Sequence, residues 1–263
     1  MPVVHNGTRI LGAPIGSNEF KGQFAAARVN EVVADFEVLR FMPTYQLQNA
    51  LANGALVHRI NHLLRNVPGN EDIFSSAAQT YDEAVLAVPQ RISGSFVLPP
   101  ISRRLARAPQ RHGGMGYRTW GDVADCAYLA AYVHISHVFD RLFPDLVSVY
   151  PDVLSLKRQG QTGLTSSPAH FAFRALTRIE ALAPTVRATL QRDADGPIGH
   201  LQHSLSALVD DFRQDALGAD IAASDRPDNP RNSAHYLSEC GDPDTFSVLP
   251  YEPNLQLSNA EFQ

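Results

Sequence analysis

The stretch "TWGDVADCAYLAAYVHISHVFDRLF" (119–143) predicts the central helix of the protein, because its Ala, Leu and Val residues fall on nearly every side of a helix. A helix that is apolar all round belongs in a protein core. Thr119 is a suitable N-cap, and Asp122 places an acid in the first turn, where it complements the helix dipole. We therefore predict a buried helix against which the rest of the chain packs.

Further amphipathic helices are predicted on both sides of this stretch. Ser17 and Thr44 are suitable N-caps for the first two, and Pro89 bends or ends the third. Gly54, inside the second, indicates close helix packing. The apolar face of the second helix is predicted to consist of Leu47, Leu51, Leu56, Ile60, Leu63 and Leu64. The seven predicted helices cover about 17–39, 44–67, 71–92, 101–107, 119–143, 168–191 and 198–216.

The N-terminal stretch "VVHNGTRILGAPIGS" (3–17) predicts a β-hairpin, because Asn6-Gly7 lies between two short apolar runs. Its strands are expected near 2–5 and 8–12. Residues 221–263 are rich in Asp, Asn, Pro and Ser, which predicts an irregular tail. The predicted fold class is mainly α: a helical bundle of about six to seven helices with a short N-terminal β-hairpin and an irregular C-terminal tail.

Composition indicates an ordinary globular protein, with 44% hydrophobic and 19% charged residues. No apolar run is long enough to span a bilayer, and the N-terminus lacks the pattern of a signal peptide. The two cysteines, Cys126 and Cys240, do not make a disulfide framework. We expect an intracellular protein of the cytoplasm or nucleus, neither secreted nor bound to a membrane.

The net charge of −5 is unevenly distributed. Residues 1–120 carry 12 Lys and Arg against 8 Asp and Glu, whereas residues 121–263 carry 10 against 19. The segment 98–118 holds five arginines and no acid. It could face a phosphate backbone, or it could be a solvated face that pairs with the acidic second half.

Inside this segment, "RAPQRHGGMGYRT" (107–119) is either a phosphate cradle or a corner between helices. A Walker-type cradle needs a preceding strand and a Lys-Ser/Thr pair at the helix start. Here a short helix precedes and Tyr117-Arg118-Thr119 follows. We therefore predict that Gly113, Gly114 and Gly116 form a structural elbow, where the backbone takes positive φ or passes close to a helix.

Other candidate chemistry is weak. His58 and His62 are one helical turn apart, but Arg59 stands where a metalloprotease has glutamate. His134 and His137 are expected to be buried and hydrogen-bonded, and His200 and His203 to be exposed. Asp210-Asp211 imitates the paired aspartates of polymerases, but apolar residues continue through it at helical spacing. We predict that this pair lies on a helix surface.

Three stretches in this order carry a family resemblance. "TRILGAPIGS" (8–17) resembles the segment that leads from the palm into the thumb of retroelement reverse transcriptases. "NALANGALVHRINHLLRNVP" (49–68) is similar to their thumb-side helix. "DEAVL" (82–86) followed by 107–119 resembles a later Gly-Gly-Leu-Gly region. The resemblance covers roughly residues 5–140.

This resemblance implies a thumb-like region at 1–120, a helical connector at 121–220 packed on it, and a tail at 221–263. The polymerase aspartates would lie before residue 1. The expected function is therefore that of a non-catalytic remnant or fragment of a retroelement reverse transcriptase. We expect no polymerase activity from this chain alone, no catalytic residue, no cofactor and no metal site. A separate palm and fingers polypeptide is an implied partner.

Thumbs of such polymerases pack a helix along the template–primer duplex and read shape and backbone charge. An RNA or DNA duplex is therefore the implied ligand. The alternative is an α-helical interaction or scaffold domain that does not bind nucleic acid, which the acidic second half favours. The predicted nucleic-acid contacts are Lys21, Arg28, Arg59, Arg65, Arg103, Arg104, Arg107, Arg111 and Arg118.

Overall fold

The predicted class is confirmed in a computed structural model that describes residues 6–94, 97–143, 151–154, 167–193 and 198–224. Within these ranges, six α-helices have ten or more residues and three are shorter. A two-stranded antiparallel hairpin precedes them. The elements are β1 (Gly7–Ile10), β2 (Ala13–Gly16), α1 (Asn18–Val38), α2 (Tyr45–Gly54), α3 (Asn61–Asn66), α4 (Ser75–Ile92), α5 (Pro100–Arg107), α6 (Trp120–Leu142), α7 (Pro168–Leu182), α8 (Val186–Asp193) and α9 (Ile198–Ser224).

The hairpin exists, but its predicted turn is wrong. The turn is Leu11-Gly12, where φ is 49° and 87°, as in the type I′ turns that match strand twist. Gly7 lies in β1 instead. A Cβ at this position would stand 2.3 Å from the Phe20 ring, so glycine is required there for space. The strand expected near 2–5 falls mostly outside the described residues, and β1 occupies most of the range expected for the second strand.

The N-terminal ends of the first two helices are confirmed. The Ser17 hydroxyl accepts a hydrogen bond from the Phe20 N–H at 3.2 Å. The Thr44 hydroxyl accepts one from the Leu47 N–H at 3.2 Å. Each bond satisfies one of the N–H groups that a helix start leaves unpaired.

The second predicted helix is not continuous. α2 ends at Gly54, Ala55 is non-helical at φ −130° and ψ −56°, and a single 3₁₀ turn precedes α3. The break leaves the Val57 carbonyl available, and the buried Tyr81 hydroxyl donates to it at 3.0 Å. Tertiary hydrogen bonding thus replaces part of a helical ladder at a glycine, where helix propensity is low.

α2 buries amides rather than its leucines. Gln46, Gln48 and Asn49 are buried, whereas Leu51 is 38% exposed. Gly54 does not mark close packing, because nothing lies within 4 Å of a Cβ built there. The predicted apolar face is therefore wrong for α2, although Ile60, Leu63 and Leu64 farther along are buried.

Prolines affect the later helices differently. α4 continues three residues past Pro89 to Ile92, so Pro89 lies in its last turn. The helix predicted at 168–191 is two helices, because α7 ends at Leu182 before Ala183-Pro184. The residue before a proline is disfavoured in helical geometry, and Ala183 adopts φ −133° and ψ 88°.

α9 runs beyond the predicted end to Ser224, and residues 225–263 of the predicted tail lie outside the described residues.

The chain forms two compact units, each assembled from three segments. The first comprises 1–24, 61–75 and 121–212, and the second comprises 25–60, 76–120 and 213–263. The predicted division into domains at 120 and 220 stays a prediction.

The core of the first unit is built on α6, as the sequence indicates. Leu129 and Ala130 of α6 pack with Leu176 of α7, Leu190 of α8 and Leu205 of α9 in one buried cluster. Close contact of this kind follows from the many alanines on α6 and α7, which leave room for larger neighbours.

The second unit is centred on three aromatic rings. Tyr81 lies edge-on to Phe36, with centroids 6.4 Å apart, and edge-on to Trp120 at 6.3 Å. Tyr81 and Trp120 are each 1% exposed. Edge-to-face pairs at this separation add to the stabilisation that burial provides.

In the part of the chain that the structure describes, every helix is too short or too polar to cross a membrane.

Candidate nucleic-acid interface

The candidate interface is the arginine segment, which we define as residues 98–118. Arg103, Arg104 and Arg107 of α5 fall within about 100° of one another at 3.6 residues per turn. Ala106, next to Arg103 around the helix, is 2% exposed and anchors the helix. Arg104 and Arg107 lie in the last turn, where cations complement the helix dipole. This sequence therefore builds a helix with a basic face and a buried alanine beside that face.

After α5 the chain folds back on the helix end. The Met115, Gly116 and Tyr117 N–H groups donate to the Leu105, Ala108 and Ala106 carbonyl oxygens at 3.3, 2.8 and 2.9 Å. Carbonyl groups at the end of α5 thereby obtain the partners that a helix terminus lacks.

The glycines make this return possible, which confirms the predicted elbow. Gly113 and Gly116 have φ values of 71° and 79°, in the region that favours glycine. A Cβ on Gly114 would lie 2.2 Å from the Ala108 carbonyl oxygen, which belongs to the backbone. The glycines therefore serve close backbone passage.

Two asparagines of α2, the buried Asn49 and the half-buried Asn53, hold the elbow in place. The Asn53 side chain donates to the Met115 carbonyl oxygen at 2.5 Å and to Asn49 Oδ1 at 3.1 Å. The Tyr117 hydroxyl donates to the same Asn49 oxygen at 2.7 Å. Burial raises the pKa of Tyr117 far above its ordinary value, an effect that the charge of Arg91 opposes in part. The hydroxyl stays protonated, as a donor to Asn49 must be.

The start of α6 does not offer an anion site. The Trp120 N–H donates to the Asp82 carboxylate of α4 at 2.6 Å. A second acid, Asp122, lies in the first turn of α6, as predicted. Two carboxylates at a helix N-terminus oppose phosphate binding there. "RAPQRHGGMGYRT" is therefore a corner between helices rather than a phosphate cradle. Asp82 caps the start of α6, and the N-cap role predicted for Thr119 stays a prediction.

At the end of the segment, Arg118 acts electrostatically on His58. The pKa of His58 is lowered, first by partial burial and second by the positive charge of Arg118, while a hydrogen bond to the Asn53 backbone opposes both. His58 is thus biased toward its neutral form.

The C-terminal part of α9 lies against the arginine segment. Arg104 forms an ion pair with Asp220. The Gln214 side chain donates to the His112 carbonyl oxygen at 3.2 Å. An acidic helix end therefore neutralises part of the basic face.

Two further predicted contacts also pair with acids. Arg28 pairs with Glu31 along α1, and Arg59 pairs with Asp35. These pairs are partly exposed, so each contributes about 0–1 kcal/mol to stability and can exchange for another anion.

The predicted contacts are distributed over both units. Lys21, on α1, and Arg65, whose Nε donates to Gln202 Oε1 at 2.8 Å, lie in the first unit. The other seven lie in the second: Arg28, Arg59, Arg103, Arg104, Arg107, Arg111 and Arg118. Of these, Arg103 and Arg111 are exposed on or next to α5.

Among the described residues, no three His, Cys, Asp or Glu side chains lie close enough together to share a metal ion. His58 and His62 do not lie one turn apart on a single helix, as was expected, because the helix is interrupted between them. His134 and His137 are half-buried rather than buried. His200 and His203 are exposed, as predicted.

The aspartate pair lies on helix α9, as predicted, but only half of it is on the surface. Asp211 is exposed, whereas Asp210 is 6% exposed. Consecutive helical residues point about 100° apart, so one member faces the protein and the other faces solvent. Such a pair does not present two carboxylates to one metal ion.

Sequence reasoning missed the residues that hold the arginine segment in place. Asn49 and Asn53 are four residues apart on α2, a spacing that puts two amides on one face and could have signalled a shared role. Asp82 and Asp220 gave no signal, because each acts on a backbone or side chain distant in sequence.

Comparison of the chain with family models, curated proteins and solved structures found no match in any of the three.

Proposed function

We propose that this chain binds a nucleic-acid duplex through the arginine segment, as the thumb-like resemblance implies. The observation that carries the proposal is a run of five arginines without an acid, on a backbone fixed by the elbow. A fixed backbone loses less conformational entropy on binding. Guanidinium groups also suit the recognition of phosphate.

Binding of this kind is directed at the sugar-phosphate backbone. Contacts to phosphate position a protein on the duplex but carry no sequence information. Affinity is therefore expected to fall steeply with salt and to vary little with sequence. Each phosphate contact contributes about one unit to the salt slope.

The test is titration of the full chain with an RNA–DNA duplex at two salt concentrations. Arg103→Gln and Arg111→Gln should each weaken binding for every duplex sequence and lower the salt slope by about one unit. Arg40→Gln is the matched control, because Arg40 is an exposed arginine outside the segment that pairs with Glu37 at 3.3 Å. Absence of salt-sensitive binding at micromolar protein would remove the proposal.

A second candidate function is an interaction or scaffold domain without nucleic-acid binding. It is favoured by the pairing of Arg28, Arg59 and Arg104 with acids of the same chain. Ion pairs of this kind are what a face that has lost its polyanion would retain. In that case the duplex titration gives no binding, and the arginine substitutions change nothing.

We also propose that the chain derives from a retroelement reverse transcriptase and acts in the cytoplasm or nucleus. The ordered set of stretches at 8–17, 49–68 and 82–119 supports the origin. Cys126, a buried free thiol, fits a reducing compartment. Genomic sequence upstream of Met1 tests the origin: a palm-encoding region with its aspartates supports it, and unrelated sequence counts against it.

A further inference from the structure

The C-terminal segment is the second strongly charged part of this chain. We call residues 225–263 the acidic segment, since they contain seven Asp and Glu against two Arg. The arginine segment has the complementary composition, five Arg without an acid. The arginine segment and the C-terminal part of α9 belong to the second unit, and the acidic segment, which follows α9 in sequence, lies outside the described residues.

The structure places the C-terminal end of α9, from which the acidic segment continues in sequence, close to the arginine segment. α9 ends at Ser224, and Asp220 in its last turn pairs with Arg104. Six residues earlier on α9, the Gln214 side chain donates a hydrogen bond to the backbone carbonyl oxygen of His112. The first acid of the acidic segment, Asp225, is five residues after Asp220 in the sequence.

Chain length does not keep the two segments apart. α5 is only about 12 Å long at 1.5 Å per residue. Ten residues can reach about 33–36 Å when extended. Attachment at Ser224 also raises the effective concentration of the acids near the arginines, to about millimolar for a short linker.

We propose that the acidic segment docks on the arginine segment and competes there with nucleic acid, as an extension of the Arg104–Asp220 contact. The competition with nucleic acid rests on the proposed function, whereas docking of the acidic segment does not require a duplex. Exchange of partners is inexpensive, because exposed ion pairs contribute about 0–1 kcal/mol each. A longer polyanion displaces the acidic segment by engaging more arginines at once.

Docking can be measured without nucleic acid. Trp120 is the single tryptophan and follows the arginine segment directly, and Cys240 lies in the acidic segment. With Cys126→Ala, an acceptor dye on Cys240 reports energy transfer from Trp120. Docking predicts that transfer falls between about 0.05 and 0.5 M salt, as screening shortens the Debye length. It also predicts lower transfer in Arg103→Gln/Arg111→Gln and unchanged transfer in Arg40→Gln.

The consequence for binding is measured with a full-length variant whose seven acids are replaced by amides: D225N, D228N, E239Q, D242N, D244N, E252Q and E261Q. We expect it to bind the RNA–DNA duplex on the order of tenfold more tightly than the unaltered chain at low salt. A chain with the acidic segment shuffled keeps the charge and should bind like the unaltered one.

The outcomes separate the two proposals. Energy transfer that is insensitive to salt and to the arginine substitutions overturns docking, whatever the duplex does. Equal duplex affinity of the amide variant and the unaltered chain overturns competition. Salt-sensitive transfer in a chain that binds no duplex, even as the amide variant, supports docking and refutes the proposed function.

Discussion

Gly114 is the residue on which the corner after α5 depends. An added Cβ would approach the Ala108 carbonyl oxygen to 2.2 Å, and the neighbouring atoms it meets are also part of Ala108. Backbone atoms cannot rotate away as a side-chain end can. The elbow therefore requires glycine at this position for space, while Gly113 and Gly116 are required for positive φ.

We expect Gly114→Ala to lower the free energy of unfolding by about 1–3 kcal/mol, the usual cost of overpacking. Gly54→Ala is the matched control, because Gly54 is helical, exposed and has nothing within 4 Å of its added Cβ. It should be neutral or raise the free energy of unfolding by up to about 1 kcal/mol. Urea denaturation measures both, and equal effects of the two substitutions would contradict the steric account.

Among the elements, α6 depends on a distant one for its first turn. Asp82 of α4 accepts the Trp120 N–H, so the two helices share a hydrogen bond as well as the Tyr81–Trp120 ring contact. The bond satisfies a backbone donor in a buried position, where an unpaired polar group is costly.

Asp82→Ala should lower the free energy of unfolding by about 0.5–2 kcal/mol, as loss of a helix cap does. Asp82→Asn keeps an oxygen acceptor in the same place and should recover most of that loss. Glu83→Gln, a charge change at the exposed neighbouring residue, controls for net charge. Chemical denaturation distinguishes them, and a loss in Asp82→Asn as large as in Asp82→Ala would indicate that charge rather than capping matters.

The elements also mark how far the sequence predicts this fold. Local signals were sufficient for the caps at Ser17 and Thr44, where neighbouring residues supply the partners, and for the burial of α6, which its composition indicates. They failed at the hairpin turn, because Gly7 is needed for contact with Phe20, which sequence spacing does not reveal. They failed again after Gly54, where the Tyr81 hydroxyl stabilises a break that helical periodicity alone would not contain.

The candidate site follows the same rule. The arginines of 103–118 and the elbow were visible in the sequence, since composition and glycine spacing are local properties. The amides of Asn49 and Asn53 and the acid of Asp220 were not, because each acts across a long separation in sequence. Partners distant in sequence determine which arginines are paired with an acid, as Arg104 is with Asp220, and therefore how basic the arginine segment is.

At the scale of the whole molecule, a negatively charged chain is proposed to bind a polyanion. The net charge of −5 at neutral pH opposes the approach of a duplex, even though the arginine segment attracts it. Binding then reflects a balance between local attraction and overall repulsion. Both are screened by salt, and the overall charge also becomes smaller in magnitude as the pH approaches the pI of about 6.0.

We therefore expect duplex affinity to rise by roughly a few-fold as pH falls from about 7.5 to 6.0, since the net charge of the chain approaches zero at its pI of about 6.0. His58 should contribute little, because burial and Arg118 lower its pKa below the ordinary value and keep it neutral over most of this range. Removing its imidazole in His58→Gln should leave the pH dependence unchanged. The rise should shrink at high salt, where charge is screened. Binding measured at three pH values and two salt concentrations checks this, and affinity that falls with decreasing pH would mean that overall repulsion does not limit the complex.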